Sequence, residues 1–215
     1  VIDLGPQYLA SVFVSRDGPA GVQERHPLAL VRCAGVCGLV QLAHTIDPNA
    51  LYRHGSYGYR SGTNEMMREN LRGIVAEVER MVPLSTGDTV LDIGCNDGTL
   101  LDSYRPTGLD LIGFDPAVNI VPAAREKGRE VVEEFFSAEA FRKARPGRKA
   151  RAVTSIAMFY DLEEPRRFVE DVADVLADDG VWVIELSYLP LMLEKVAFDT
   201  ICHEHLEYYA LRQIE

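Results

Sequence analysis

The chain has 215 residues, 47% of them apolar, enough to bury a core without staples, so one main domain with a small appendage is expected. Asp and Glu total 33 against 22 Lys and Arg, a net charge of −11. That excess argues against a nucleic-acid partner, since phosphate-backbone binding relies on clustered positive charge. The basic run 142–151 (RKARPGRKAR) is read as a solvated helix end and loop. No stretch approaches the roughly 18 uncharged apolar residues of a membrane span. No signal peptide is visible, and four cysteines, two of them in unrelated places, do not make a disulfide framework. A cytoplasmic protein without membrane or nucleic-acid partners is expected, as a monomer or homodimer. Because the chain starts at Val1 rather than Met and stops inside a helix predicted from Leu211, it is expected to be truncated at both ends.

Residues 1–56 hold short apolar stretches at 8–14, 28–32 and 39–42, separated by Gly, Pro, Asp and Arg, which predicts a small β-rich module. Residues 57–84 form a connecting segment and a helix. Met67, Leu71, Ile74, Val75, Val78 and Val82 recur at spacings of three and four, with Thr63 as the expected N-cap and Pro83 and Gly87 as stops. From 85 to 190 strands alternate with helices: strands at 89–93, 109–114, 131–135, 152–158 and 181–186, helices at 98–104, 119–127, 138–144 and 165–176. Strands separated by helices of this length predict an α/β fold with a mostly parallel, doubly wound sheet. Ligands in such sheets sit at the carboxyl ends of the strands, which gathers Gly94, Asp115, 159–161 and 185–188 around one crevice. Trp182 is expected in the core and Cys95 packed in the turn. Residues 191–215 begin a further region.

The stretch 90–101, VLDIGCNDGTLL, climbs through an apolar strand to a tight glycine turn and restarts as a helix. It presents backbone N–H groups to a ligand. Asn96 and Thr99 stand where the dinucleotide fingerprint Gly-x-Gly-x-x-Gly requires glycines, which sets a nicotinamide oxidoreductase far back. Asp92, Gly94, Asn96 and Gly98 are the candidate cofactor turn, and Asp115, at the next strand end, is placed to accept hydrogen bonds from a ribose diol. Further along, 199–209 packs His203, His205, Glu204, Glu207, Tyr208 and Tyr209 together. This density of imidazole, carboxylate and phenol suits acid–base chemistry. The zinc helix His-Glu-x-x-His fails at position 207, which is Glu. Glu185 and Tyr188 either line a substrate pocket or satisfy backbone at a bend. Cys33 and Cys37, in RCAGVCGL, have a spacing seen in zinc knuckles, but zinc needs four ligands and this pair supplies half a site.

The glycine turn resembles motif I of the class I S-adenosylmethionine (SAM) methyltransferases. With YGYRSGTN (57–64), MFYDLEEP (158–165), VWVIELSYLPLML (181–193) and FDTICHEHLEYY (198–209), nearly the whole chain resembles the SAM-dependent nucleotide-sugar C-methyltransferases. That resemblance implies a Rossmann-like class I methyltransferase domain, a four-cysteine N-terminal zinc module whose other pair lies upstream of Val1, and a C-terminal domain that helps enclose the sugar. It further implies SAM as cofactor, contacting Gly94, Asn96 and Asp115 with Ser137 near the adenine, and structural zinc in the full-length protein. The substrate implied is a nucleotide-linked 4-keto-deoxyhexose. His205 is the implied base with Glu204 beside it, and Tyr57 and Tyr59 reach the sugar nucleotide or the reacting carbonyl region. His203, Tyr188 and Tyr208 are candidate substrate contacts. Some relatives carry a tyrosine at the position of Cys202 and a histidine near that of Asp161, so the helper groups differ here. The alternatives are a small-molecule O- or N-methyltransferase, or a SAM-binding fragment without activity of its own.

Overall fold

The computed structural model of the protein describes residues 1–10, 12, 24–53 and 57–215. Ile2–Gln7 (β1), His26–Arg32 (β2) and Val40–Leu42 (β3) form antiparallel pairs. Of the strand expected at 8–14, Val12 makes an isolated bridge to Tyr57, and residues 11, 13 and 14 lie outside the described residues. A short helix, Pro48–Tyr52 (α1), starts where Asp47 accepts the N–H of Asn49 and Pro48 fills the first turn. The long helix Glu65–Met81 (α2) follows the apolar periodicity and buries Leu71, Val75 and Val78. Its cap is Asn64, not Thr63. Thr63 closes a 3₁₀ turn and its hydroxyl donates to the Arg60 carbonyl, whereas Asn64 has the extended backbone a cap needs and accepts from Met66 N–H at 2.9 Å.

The larger sheet comprises Thr89–Ile93 (β4), Asp110–Phe114 (β5), Glu130–Val132 (β6), Ala150–Ile156 (β7) and Leu176–Glu185 (β8), all parallel, in the order β6-β5-β4-β7-β8. Its crossovers include Val121–Glu126 (α3), Ala138–Ala144 (α4) and Pro165–Val175 (α5). Alternate residues of β4 serve opposite faces. Leu91 and Ile93 pack with Phe141, Phe168, Val172 and Val175, while Val90 packs with Val78, Val82 and Val121. Full burial of each such side chain contributes about 1.5–3 kcal/mol before entropic costs. The helix expected at 98–104 shrinks to a 3₁₀ turn, Leu101–Ser103. Gly98 takes φ +77° as part of the glycine turn and Tyr104 is already extended at ψ 130°, so only the middle of the expected span is helical. Trp182 belongs to the core, its indole N–H donating to Ser155 at 3.2 Å.

After β8 comes Leu189–Glu194 (α6), then Glu207–Tyr208 (β9) and Leu211–Ile214 (α7). β9 pairs antiparallel with β3 as the fourth strand of the N-terminal sheet. Leu206 and Tyr208 join Leu28, Leu30, Val40 and Leu42 in that sheet's core. Glu207–Tyr208, expected from the sequence in a separate C-terminal region, therefore completes the module that begins the chain. The segment is also tied to the larger sheet, because Leu206 N–H donates to the Tyr160 carbonyl at 2.9 Å. Strand order reverses at β4 and β7, so their carboxyl ends open the crevice that such sheets use for ligands. No helix among the described residues is long and apolar enough to cross a membrane.

Candidate cofactor and acceptor site

A cavity of about 460 Å³ lies over the carboxyl ends of the sheet strands, within the usual range for small-molecule sites. Of the residues singled out from the sequence, Tyr57, Tyr59, Asp92, Gly94, Asn96, Asp115 and Ser137 line it. Gly98 is not among its lining residues; its φ of +77° shapes the turn, and a Cβ there would meet Ala124 Cβ at 3.2 Å. Gly94 has φ +74°, and a Cβ would approach Met158 Cγ at 3.1 Å. Both turn glycines thus answer to backbone geometry and to close neighbours.

The turn is held by its own polar groups. Asp115 accepts the Asn96 N–H on one carboxylate oxygen and the Ala117 N–H on the other, both at 2.8 Å. Each oxygen keeps a second lone pair for a hydroxyl donor. Burial pushes the Asp115 carboxyl above its ordinary range, and the two backbone donors oppose that rise. Asp92, buried and bonded by the Thr154 hydroxyl at 2.6 Å, is pushed up to about 7, chiefly by burial. Asn96 sits at φ +51°, a conformation asparagine tolerates better than most residues. Its side chain accepts from Ser61 N–H at 2.9 Å and donates to the Tyr59 carbonyl at 3.1 Å. Asn119 donates to the Tyr57 carbonyl at 2.7 Å, and Gly62 N–H donates to Asp97 at 3.0 Å. The Tyr-x-Tyr-x-Ser-Gly segment is thereby strapped over the glycine turn. Asn119 was not legible as a site residue from sequence, although it follows Asp115 within the same loop.

A second polar group gathers where the cavity meets the 199–209 loop. Tyr52 of α1 donates to Asp161 at 3.2 Å and packs edge-on against Tyr57, with ring centroids 5.1 Å apart. Asp161 and Tyr52 both line the cavity. The Glu204 carboxylate acts electrostatically on Tyr52, Tyr57 and Asp161 alike. Burial raises both phenols and lifts Asp161 well above the usual carboxylate range. Sequence reasoning missed Tyr52; its position at the end of a helix just before Tyr57 was the available signal.

His205 does not line the cavity. Its ring stacks at an angle on Tyr160, centroids 4.3 Å apart, beside Asp161. Its Nδ1 lies 2.7 Å from the Thr200 carbonyl. A carbonyl only accepts, so Nδ1 carries the proton and Nε2 is left as the basic nitrogen. Burial lowers the His205 pKa and the Thr200 carbonyl and Glu204 oppose it. His203 is 1% exposed and packs against β2, with Nε2 at 3.2 Å from the His26 carbonyl. Tyr208 is buried in β9, and its hydroxyl donates to the Thr200 carbonyl at 3.4 Å. Tyr188 is 40% exposed, and its backbone bridges Tyr209 at the start of α6. The cavity's lining includes neither His203, Tyr188 and Tyr208 nor Glu204.

Cys33 and Cys37 face each other, and the Cys37 thiol is lowered first by the Leu39 backbone N–H and then by Cys33. Arg212 and Gln213 donate to the Cys37 carbonyl at 3.0 and 2.7 Å. Among the described residues no cluster of three or more His, Cys, Asp or Glu side chains could hold a metal ion. Two thiols do not satisfy the four-ligand shell of structural zinc, so the residues present do not fit a closed zinc site. Cys95 is buried and packs over Gly113, where a Cβ would collide with its Sγ at 2.4 Å.

A parallel sheet in this order, a glycine turn after its central strand and an acidic residue closing the next define a Rossmann-like class I methyltransferase fold. Residues 65–215 match the family described as "Methyltransferase domain", and residues 1–52 match "Putative zinc binding domain". The chain belongs to the SAM-dependent methyltransferase family. It is 32% identical over 213 residues to the C-methyltransferase NovU of Streptomyces niveus, covering 98% of this chain and 50% of that protein. It is also 32% identical over 110 residues to a ubiquinone biosynthesis O-methyltransferase of Thiobacillus denitrificans, covering 49% of this chain and 46% of that one. The chain thus spans about half the length of these curated relatives. The solved plantazolicin methyltransferase BamL, in complex with a triazolic desmethylPZN analog and SAH, shares the fold at TM-score 0.55 and 15% identity, over 70% of this chain and 60% of that one. BpumL, with a pentazolic analog and SAH, does so at 0.52 and 15%, over 64% and 53%.

Proposed function

We propose that the protein transfers methyl from SAM to the carbon next to the ketone of a nucleotide-linked 4-keto-deoxyhexose. The observation that carries this reading is the strap of Tyr57–Ser61 across the glycine turn, which brings a phenol to the cavity wall beside Asp161 and the His205 loop. Similarity over 98% of this chain to a C-methyltransferase, of which it covers 50%, supports carbon as the acceptor atom. SAM supplies an electrophilic methyl group and leaves as S-adenosylhomocysteine (SAH). Asp115 accepts the ribose hydroxyls, Gly94 and Asn96 hold the turn around the cofactor, and Ser137, which caps α4, stands near the adenine. The wall suits a sulfonium: Arg167 is the one cation among its described lining residues, against several carboxylates.

His205 takes the proton from the carbon beside the ketone, using the Nε2 lone pair that the Thr200 carbonyl leaves basic. Tyr57 and Tyr59 orient the carbonyl region, and Glu204 steadies the imidazolium once it forms. His203 and Tyr208 hold the loop through the His26 and Thr200 carbonyls, and Tyr188, exposed at the start of α6, meets the sugar's outer face. In this reading 1–56 is the appended module, 57–84 the connector, 85–190 the SAM-binding domain and 191–215 the start of the acceptor region.

A second reading, methylation of a hydroxyl, draws on the ubiquinone O-methyltransferase relative. One experiment separates the two: the protein with SAM and a panel of nucleotide 4-keto-deoxyhexoses in D₂O, followed by mass detection. One methyl gained, lost in His205→Ala with SAM affinity unchanged, is the expected result. SAM binding with no methyl gained and no deuterium incorporated beside the ketone overturns carbon methylation of those sugars.

A further inference from the structure

The cavity wall contains a carboxyl group whose placement the roles above leave unused. Asp161 stands in the 3₁₀ turn Phe159–Asp161 after β7, at the junction between the cavity and the 199–209 loop. One of its oxygens, Oδ2, is fixed by the Tyr52 hydroxyl at 3.2 Å. The other, Oδ1, is buried and has no hydrogen-bond partner among the described residues. A buried polar atom left without a partner is costly. The residue that carries it lines the ligand cavity, so a turn of the side chain on binding brings that atom to the ligand, the natural group to complete it.

Building on the ketosugar reading, we propose that Asp161 is a catalytic hydrogen-bond donor, its Oδ1–H directed at the carbonyl oxygen of the acceptor. The oxygen gains negative charge as His205 removes the neighbouring carbon proton. The Asp161 proton stays on Oδ1 and shortens its bond to the developing oxyanion, so no proton is transferred from the acid. The C–H electron pair becomes the enolate, whose carbon then takes the methyl group. A neutral carboxylic acid is an effective oxyanion donor where burial keeps it protonated. The surroundings of Asp161 are of that kind. Tyr52 from α1, Tyr57 from the strap, Tyr160 beside it, and Glu204 and Tyr208 from the far loop all act on it or are acted on by it, and none is a cation. Burial first, then Glu204, drive it toward the protonated form, and only the Tyr52 hydroxyl opposes them. Tyr52 is a positioning residue in this scheme.

Turnover of the ketosugar panel and isotope-edited infrared spectra test the proposal together, with SAH affinity as the check on folding. Asp161→Ala is expected to lower kcat by roughly 10²–10³-fold, as removal of one oxyanion donor does. Asp161→Asn, whose amide still donates, is expected to turn over at least about tenfold faster than Asp161→Ala and to lose the alkaline limb of the pH profile. Tyr52→Phe removes the one group holding the Asp161 pKa down, so the alkaline limb moves to higher pH. An Asn variant as inactive as the Ala variant, with SAH affinity intact, shows that a carboxylate is required and overturns the proposal. If no ketosugar is methylated, the substrate reading fails, and the infrared spectrum still decides the acid. A protonated-carboxyl band at neutral pH that vanishes in Asp161→Asn supports a donor at this position, and its absence in the wild type overturns it.

Discussion

Asp92 is a buried carboxyl whose folded pKa stands near 7, well above its ordinary value. The unfolded chain gives up that proton at lower pH than the folded one does. The stability associated with the bound proton is therefore complete in acid and declines as pH rises toward and through 7. Holding a proton about tenfold more tightly is worth about 1.4 kcal/mol, so the loss reaches a few kcal/mol. Asp92→Asn, which removes the titrating proton, is expected to flatten the decline, and the unfolding midpoints of both proteins between pH 5 and about 8 measure it. Asn96 is the other residue whose identity is dictated twice, by a positive φ and by two side-chain bonds to the strap. Asn96→Gly keeps the backbone conformation and loses the strap, whereas Asn96→Ala loses both. Denaturant unfolding is expected to place the Ala variant about 1–2 kcal/mol below the Gly variant. Asp92, Gly94, Asn96 and Asp115 were legible in the sequence because a tight turn after an apolar strand admits few residue types. Asp161 was placed at the crevice by its strand end, but Tyr52 was not legible, since it matters only through its contact with Asp161, more than a hundred positions away.

The strap is the element on which the two halves of the cavity depend. Its backbone is held by Asn96, Asn119 and Asp97, and Gly62 is forced, because a Cβ there would fall 2.6 Å from Asp97 Oδ2 and 2.7 Å from Thr99 Oγ1. Gly62→Ala is expected to lift the strap and weaken SAH binding by about tenfold or more, the equivalent of one or two lost hydrogen bonds, with calorimetric titration as the measurement. Long helices and strands were readable from periodicity: α2 and α4 run almost as expected, and β4 does so to the residue. The 98–104 helix was overread, because hydrophobic spacing does not register that Gly98 stands at a positive φ inside the turn. The cap of α2 was misplaced by one residue for a similar reason, since Thr and Asn in sequence both satisfy the preference and only the local turn distinguishes them.

For the molecule as a whole, the parallel sheet followed directly from alternating strand and helix segments, but the partnership of β9 with β3 did not. A two-residue strand carries no periodic signal, and its partner lies at the opposite end of the chain. Leu206, 5% exposed, anchors this join between the sheets. Leu206→Ala is expected to cost about 2–5 kcal/mol and to reduce turnover beyond what stability explains, because His205 precedes it directly; SAH affinity should change little. Saturating SAH, at about a hundred times its Kd, should in turn raise the unfolding free energy by about 2.7 kcal/mol.

The join also dictates an order of events during biosynthesis. The strands β1 to β3 are made before the parallel sheet, and the glycine turn and its crevice can form while the chain is still being elongated. The contact between Val40 and Tyr208 joins strands on either side of the entire parallel-sheet region, and pairings of such separation close late and slowly. Because Glu204 and His205 are carried on the segment that makes this late closure, a nascent chain can assemble the glycine turn before the 199–209 loop is seated. The loop reaches its place beside Tyr160 only once this segment has been made.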